Sequence, residues 1–373
     1  MKARLKIVSI ALICFSLTVC SCENSADVSG RIPGAWAADS GAAYTPYTPY
    51  TPYTPQTPPW NVSETQPSAS GISVTKSVDL LTDAEINGCR QKLLIQADDT
   101  DNPILLFIHG GPGDSAMMLS HAYSDLLRSR FIFVNWDQRG SGLSWHVDMD
   151  ESKINEDQLV DDALELTRYL TETYKKDKIY IIGHSYGSII GMRLASEHPE
   201  LYYAYIGMGQ VLDWNKSVAC TKKWLAAEMR KAGDESGLNK LKSSSVPDMN
   251  EIVKYGGHTH KLIDFNEIIM NSPYYFEGYM DLKNKTRELV QRNIAKSKST
   301  MSFLNIDNFN IPIYFFEGRF DHVTACAPEL VVQFCDKTEA PVKEIVWFED
   351  SAHMPNLEEP VKFQQMVIEK LLM

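Results

Sequence analysis

Apolar and polar positions along the chain fall into blocks with different periods. Lys2, Arg4 and Lys6 precede an apolar run from Ile7 to Val19. That run is too short for an ordinary membrane-spanning helix and suits a secretory signal over residues 1–22. From Glu23 to Ser70 aliphatic residues almost vanish. Tyr44-Thr45-Pro46 recurs four times through Pro55, and Gln56-Thr57-Pro58-Pro59 follows. Proline at every third position enforces an extended, polyproline-like rod without a core, so residues 23–70 read as a linker or stalk. A ligand for another protein is the other use of such a stretch.

Ordered structure is expected from Gly71. Ile72 to Leu80 is strand-like, and Ile86-Asn87-Gly88 offers a hairpin turn before a strand from Cys89 to Ala97. Ile104 to Ile108 is a continuous apolar run, as in a strand buried on both faces. The pattern predicts a helix over Ser115 to Arg128, a strand over Phe131 to Trp136, and a helix over Leu159 to Tyr174. Further strands follow at Ile179 to Ile182 and at Ala204 to Met208. This alternation specifies a mostly parallel, doubly wound α/β sheet, with residues 71–212 as the first part of its core. The alternation then stops. Residues 213–307 carry helical patterns over Val218 to Lys231, Met249 to Tyr255 and Thr286 to Ala295, without clear strands. Strand signals return at Ile313 to Glu317 and Ile345 to Phe348, and a helix from Pro360 to Leu372 closes the second part of the core, residues 308–373. A helical insertion between sheet strands is most simply a cap over the carboxyl ends of the strands, where ligands of such sheets bind.

The strand at Ile179 runs into Gly183-His184-Ser185-Tyr186-Gly187, and a helical pattern follows. Strand, sharp turn and helix around G-x-S-x-G form the context of a nucleophile elbow. Ser185 is therefore the candidate nucleophile. After the Ile104–Ile108 strand comes His109-Gly110-Gly111-Pro112-Gly113, a loop able to turn an amide N–H toward the nucleophile. Gly111 is the first choice of oxyanion donor, Gly110 the second, and the Tyr186 N–H the partner donor. Nine histidines compete for the base. In chain order the acid and then the histidine follow the serine, which removes those up to His184. His353, in the loop after the last strand, is the expected base. Asp321, in the loop after the preceding strand, is the expected acid, with Asp350 as its rival. Glu317 reads as a capping or pairing group, and His322 as a pocket residue at best.

The net charge of −12 argues against nucleic acid as a partner, since no basic run follows the first few residues. His258 and His260 lack neighbouring metal ligands in sequence, and no zinc-type cysteine spacing occurs, so no metal or cofactor is expected. Among the seven cysteines, Cys20 and Cys22 lie in Val19-Cys20-Ser21-Cys22, which resembles the lipobox of bacterial lipoproteins. Cys22 is the better acceptor because it follows a small residue, and Cys20 is the alternative. The resemblance implies an exported chain anchored to a membrane by lipid alone; plain signal cleavage is the other outcome. Cys89, Cys220, Cys326 and Cys335 then remain as disulfides or buried thiols.

HGGPG (109–113), DQRGSG (137–142), GHSYGS (183–188), GRFD (318–321) and SAH (351–353) together resemble the proline iminopeptidase-like branch of the α/β-hydrolases. The resemblance spans roughly Gly71 to Met373. It implies the α/β-hydrolase fold with a helical cap, a Ser185–Asp321–His353 triad, and oxyanion donors at Gly111 and Tyr186. It also implies that Asp137 and Arg139 are structural. Two features depart from the pattern: Tyr186 stands where the branch has tryptophan, and His184 where it has glycine. In that branch, cap glutamates bind the free amino terminus of the substrate. Glu228, Glu251, Glu267 and Glu277 are available here, and Glu228 and Glu277, with Tyr274, Tyr275 and His109, are the candidate substrate contacts. The expected substrate is a short peptide or aminoacyl amide cleaved at its amino-terminal residue. A small-molecule ester and a non-catalytic surface binding module stay open as alternatives.

Overall fold

A computed structural model describes residues 76–295 and 302–373. The leader, the Tyr-Thr-Pro stretch, Cys20, Cys22 and the expected strand start at Ile72 lie outside them. The strands are β1 (Val78–Ile86), β2 (Cys89–Ala97), β3 (Ile104–Ile108), β4 (Ile132–Asp137), β5 (Ile179–His184), β6 (Tyr202–Met208), β7 (Ile313–Gly318) and β8 (Lys343–Phe348). They form one sheet in the order β1-β2-β4-β3-β5-β6-β7-β8. Only the β1–β2 and β2–β4 pairs are antiparallel. The parallel strands β3, β4 and β7 are buried along their whole length, which explains their unbroken apolar sequence. The hairpin between β1 and β2 turns on Asn87 and Gly88, both at positive φ, as the Asn-Gly pair anticipates.

Helices cover both faces: α1 (Asp125–Arg128), α2 (Glu156–Tyr174), α3 (Tyr186–Glu197), α9 (Pro328–Lys337), α10 (Pro355–Glu358) and α11 (Pro360–Leu372). Between β6 and β7 the described residues hold the helices α4 (Trp214–Lys231), α5 (Glu235–Ser243), α6 (Met249–Lys254), α7 (Phe265–Met270) and α8 (Tyr279–Ile294). The expected helix over Ser115 to Arg128 is instead a 3₁₀ turn, Met117–Ala122, followed by the single turn α1. Its apolar residues come as a run that is buried consecutively, Met117, Met118 and Leu119, rather than at helical spacing. No helix among the described residues is long and apolar enough to cross a membrane.

Two large apolar clusters lie on the two faces of the sheet. One holds α2, α3 and α9 against Leu106, Ile181 and Phe315. The other holds α11 against Leu105, Phe107, Ile182 and Phe316, and takes in Ile269 and Tyr279 from the region between β6 and β7. That alternation of side chains fixes the strands, and with them the loops at their carboxyl ends.

Candidate active site

Ser185 sits between β5 and α3 with φ 53° and ψ −122°, a strained conformation for a residue with a side chain. The neighbouring glycines make the turn possible. A Cβ on Gly187 would lie 2.1 Å from the carbonyl oxygen of Ile108, and one on Gly183 2.6 Å from that of Gly187. The turn is held from β6, where the Met208 carbonyl accepts from the Ser185 N–H at 2.9 Å. As N-cap of α3, Ser185 stands beside the unpaired amide donors of the first helical turn, the Tyr186 N–H among them.

The glycine-rich loop after β3 reaches the serine directly. A Cβ on Gly110 would be 2.7 Å from that of Ser185, and Gly111 and Pro112 border the same cavity as Ser185 and Tyr186. His109 buttresses this loop. Its Nδ1–H donates to the Gly110 carbonyl at 2.9 Å, its Nε2 accepts from the Gln138 N–H at 3.2 Å, and its own carbonyl accepts from the Gln138 side chain at 2.7 Å. Burial pushes its imidazole down to about 4, so it is neutral. Both ring nitrogens of His109, a candidate substrate contact, thus serve backbone groups of the loop and its neighbour.

Asp321 and His353 meet as expected. Nδ1–H of His353 donates to Oδ2 of Asp321 at 2.7 Å, and both residues are buried. Burial alone raises the Asp321 carboxyl, yet the facing imidazole and the Val323 N–H bring it below the ordinary carboxylate range. The tautomer with hydrogen on Nδ1 leaves Nε2 as an acceptor. The rival Asp350 is an exposed turn residue whose N–H donates to Glu359. Acid strand and base loop touch backbone to backbone: a Cβ on Gly318 would lie 1.9 Å from the Ala352 carbonyl oxygen. Glu317 is wholly buried and accepts from the Gln210 N–H at 3.0 Å. Burial and the neighbouring Asp321 charge push its carboxyl far up, so it is a neutral acid beside the pair.

One close neighbour has no signal in the sequence. The Cys326 thiol donates to the Gly209 carbonyl at 3.0 Å and meets the Ser185 hydroxyl. It lies with the Asp321 and His353 donor atoms inside a 4.8 Å cluster. Burial and then the Asp321 charge raise its pKa, so it is a thiol rather than a thiolate. The four described cysteines are all free. Two more imidazoles crowd the base. His184 Nε2–H donates to the His353 carbonyl at 3.0 Å, and the His258 ring lies 5.9 Å from that of His353. Burial depresses both, to about 3 and about 4.

A narrow cavity of about 40 Å³ opens beside Ser185, bordered by Ile189, Val211, Trp214, Ala325 and the end of α8. The other expected substrate contacts lie elsewhere. Tyr274 packs at the β1–β2 edge, where its hydroxyl bonds to Asp79 and Gln96. Tyr275 packs on Tyr279. Glu228 pairs with Lys231 one turn along α4 at 2.6 Å, and Glu277 is exposed. The aromatic run is placed by packing on the sheet's second cluster, and Glu228 by pairing along its own helix. His322 stacks on Trp224 with centroids 4.2 Å apart. The DQRGSG segment is structural: Arg139 makes a two-pronged ion pair with Asp162, at 2.7 and 2.8 Å, and Asp137 accepts from the Leu143 N–H.

Residues 100–270 match the model of a family described as Hydrolase_4, serine aminopeptidase, S33. A probable aminopeptidase, YbaC, of Bacillus subtilis is 28% identical over 313 residues, covering 77% of this chain and 95% of the relative. A proline iminopeptidase structure from Mycobacterium smegmatis superposes with a TM-score of 0.60 at 16% identity, covering 78% of this chain and 97% of the other. An esterase from Exiguobacterium antarcticum does so with 0.53 at 15%, covering 78% and 99%. With the sheet order and the strand-end loops already in view, these likenesses identify the fold as that of the α/β-hydrolases and the chain as a hydrolase.

Proposed function

We propose that this chain is a serine hydrolase working through an acyl-enzyme, and that its substrates are short peptides or aminoacyl amides cleaved at the amino-terminal residue. His353 takes the proton from Ser185 as the hydroxyl attacks the carbonyl carbon. The Gly111 and Tyr186 N–H groups hold the oxyanion, Asp321 steadies the imidazolium, and His353 then protonates the leaving group. Water completes the cycle by the same steps. The helices between β6 and β7 act as a cap that shapes the substrate site.

The observation that supports this most is the 2.7 Å Asp321–His353 pair at the strained Ser185 turn. The strained turn costs stability, and both features suit a nucleophile with its base. A fluorophosphonate probe tests it: wild-type protein is expected to label at one site and Ser185→Ala not at all, with turnover falling by about four orders of magnitude or more. Undiminished labelling of Ser185→Ala would refute the assignment.

Hydrolysis of small-molecule esters is the second reading. It is favoured by the apolar border of the cavity, in which no acidic residue stands among the described residues to hold an ammonium group. Proline and alanine anilides against acetyl and butyryl esters separate the two. For location we propose export as a lipoprotein modified at Cys22, with Cys20 as the alternative acceptor; loss of palmitate incorporation in Cys22→Ala is the matching test.

A further inference from the structure

We infer that Glu358, from α10, is the positioning residue of the base, and that it works by tying the His353 loop to the segment between α6 and α7. The inference rests on the serine-hydrolase reading only in naming His353 the base. The Glu358 side chain is buried and all its hydrogen bonds run to backbone. Oε1 accepts from the Ala352 N–H at 2.9 Å and the Met354 N–H at 3.3 Å, the two amides flanking His353. Oε2 accepts from the His260 N–H at 2.6 Å and the Lys261 N–H at 2.9 Å. Lys261 then returns to the chain at Glu358, its ammonium donating to that residue's carbonyl at 2.9 Å.

His353 itself is pinned at both ends of its backbone. Its N–H donates to the His258 carbonyl at 3.0 Å, and its carbonyl accepts from His184. The acid loop joins the same segment, with the His322 N–H donating to the Gly257 carbonyl at 2.9 Å. Residues 257–261 thus form a strap bonded to both the acid loop and the base loop, and one carboxylate carries two of its bonds. The adjacent Glu359 holds the start of the loop alone, accepting from the Asp350 N–H at 3.1 Å and the Ser351 hydroxyl at 2.6 Å. A carboxylate suits four N–H donors because it is acceptor-only; an amide in its place turns one end into a donor facing donors. A base displaced by about 1 Å costs on the order of 100-fold in rate.

The test compares Glu358→Gln, Glu358→Asp and Glu359→Gln with the wild type by two readouts: the rate of fluorophosphonate labelling, and the low-field proton resonance of the His353 Nδ1–H bonded to Asp321. Glu358→Gln is expected to label about 10- to 100-fold more slowly and to shift or lose the resonance. Glu359→Gln, which spares the strap, is expected to lose less than Glu358→Gln at a similar melting temperature, and Glu358→Asp to recover part of the rate. Wild-type labelling and an unmoved resonance in Glu358→Gln would overturn the inference. If Glu358→Gln fails to fold, Glu358→Asp decides by the same two readouts. A wild-type protein that shows the resonance but takes no label would refute the serine-hydrolase reading, leaving the resonance of the variants to judge Glu358.

Discussion

The two halves of the region between β6 and β7 are built differently. The half from α4 to α6 has a small core of its own, Leu225, Met229, Leu238, Leu241 and Ile252. Its ion pairs, Lys254 with Asp234 and Lys231 with Glu228, lie on the surface, where such pairs are worth little. The half from α7 to α8 has no separate core among the described residues. Ile269 and Tyr279 belong to the sheet's second cluster, and Leu289 and Val290 pack with Ile154. Its polar bonds also reach the catalytic face. The Tyr279 hydroxyl donates to Ser115 at 3.2 Å, the Lys283 ammonium pairs with Asp114, and Thr286 accepts from the Gly142 N–H at 3.1 Å. A Cβ on Gly113 would be 2.7 Å from that of Val290. The second half is therefore part of the support of the oxyanion loop, whereas the first half packs a core of its own and meets the site from α4, through Trp214 beside Ser185 and Trp224 on His322. Continuity in sequence does not make the inserted helices one mechanical unit.

Three measurements break or sharpen that contrast. The largest effect is expected from Tyr279→Ala, in the half fused to the sheet. Removing a buried aromatic there costs about 3–5 kcal/mol and lowers the melting temperature of the whole protein. It also slows fluorophosphonate labelling, because the Ser115 contact beside the oxyanion loop is lost; a labelling rate equal to wild type would separate α8 from the site. Ile252→Ala, in the half with its own core, is expected to cost about 2–4 kcal/mol, but locally. Limited proteolysis should then open residues between Asp234 and Tyr255 while Ser185 labels at its normal rate, and a full loss of labelling would show the halves to be one unit. The smallest effect concerns His258, on the strap. Burial first, and then the neighbouring His353, hold its imidazole at about 4, below the unfolded value, so its contribution is present above about pH 6.5 and is lost as pH falls toward 4. His258→Asn should therefore lose less stability than the wild type between those limits, by about 1 kcal/mol per pH unit. Parallel melting curves against pH would rule this out.

The parts of the molecule legible in the sequence are those whose signal is local. β3 is an apolar run bounded by Asn102-Pro103 and the glycine loop, and α11 a periodic segment starting at a proline, so both fall where expected. Ser185, Asp321 and His353 each follow a strand, and the pairing of β7 with β8 sets the last two loops side by side so that Asp321 and His353 meet. The short helices α5 and α7 bury only a few residues each and carry too few periods to stand out. In α9 the apolar run Leu330-Val331-Val332 masks the helical spacing. The contacts that decide how the site is held were not legible at all. Cys326 meets Gly209 from 117 residues away, and Glu358 meets His260 from 98. Nothing in the composition of either segment points across such a distance. The surroundings of the expected substrate contacts were equally hidden: Tyr274 packs against the sheet edge, Glu228 pairs along its own helix, and Glu277 stands exposed in a turn.

Gly318 carries one more consequence. With the end of the acid strand lying against the Ala352 carbonyl, no side chain acts as a spacer between the two loops, and rotamer exchange cannot widen the gap. A library randomised at that position should return glycine under selection for turnover. Any redesign that moves one of these loops has to carry the other with it.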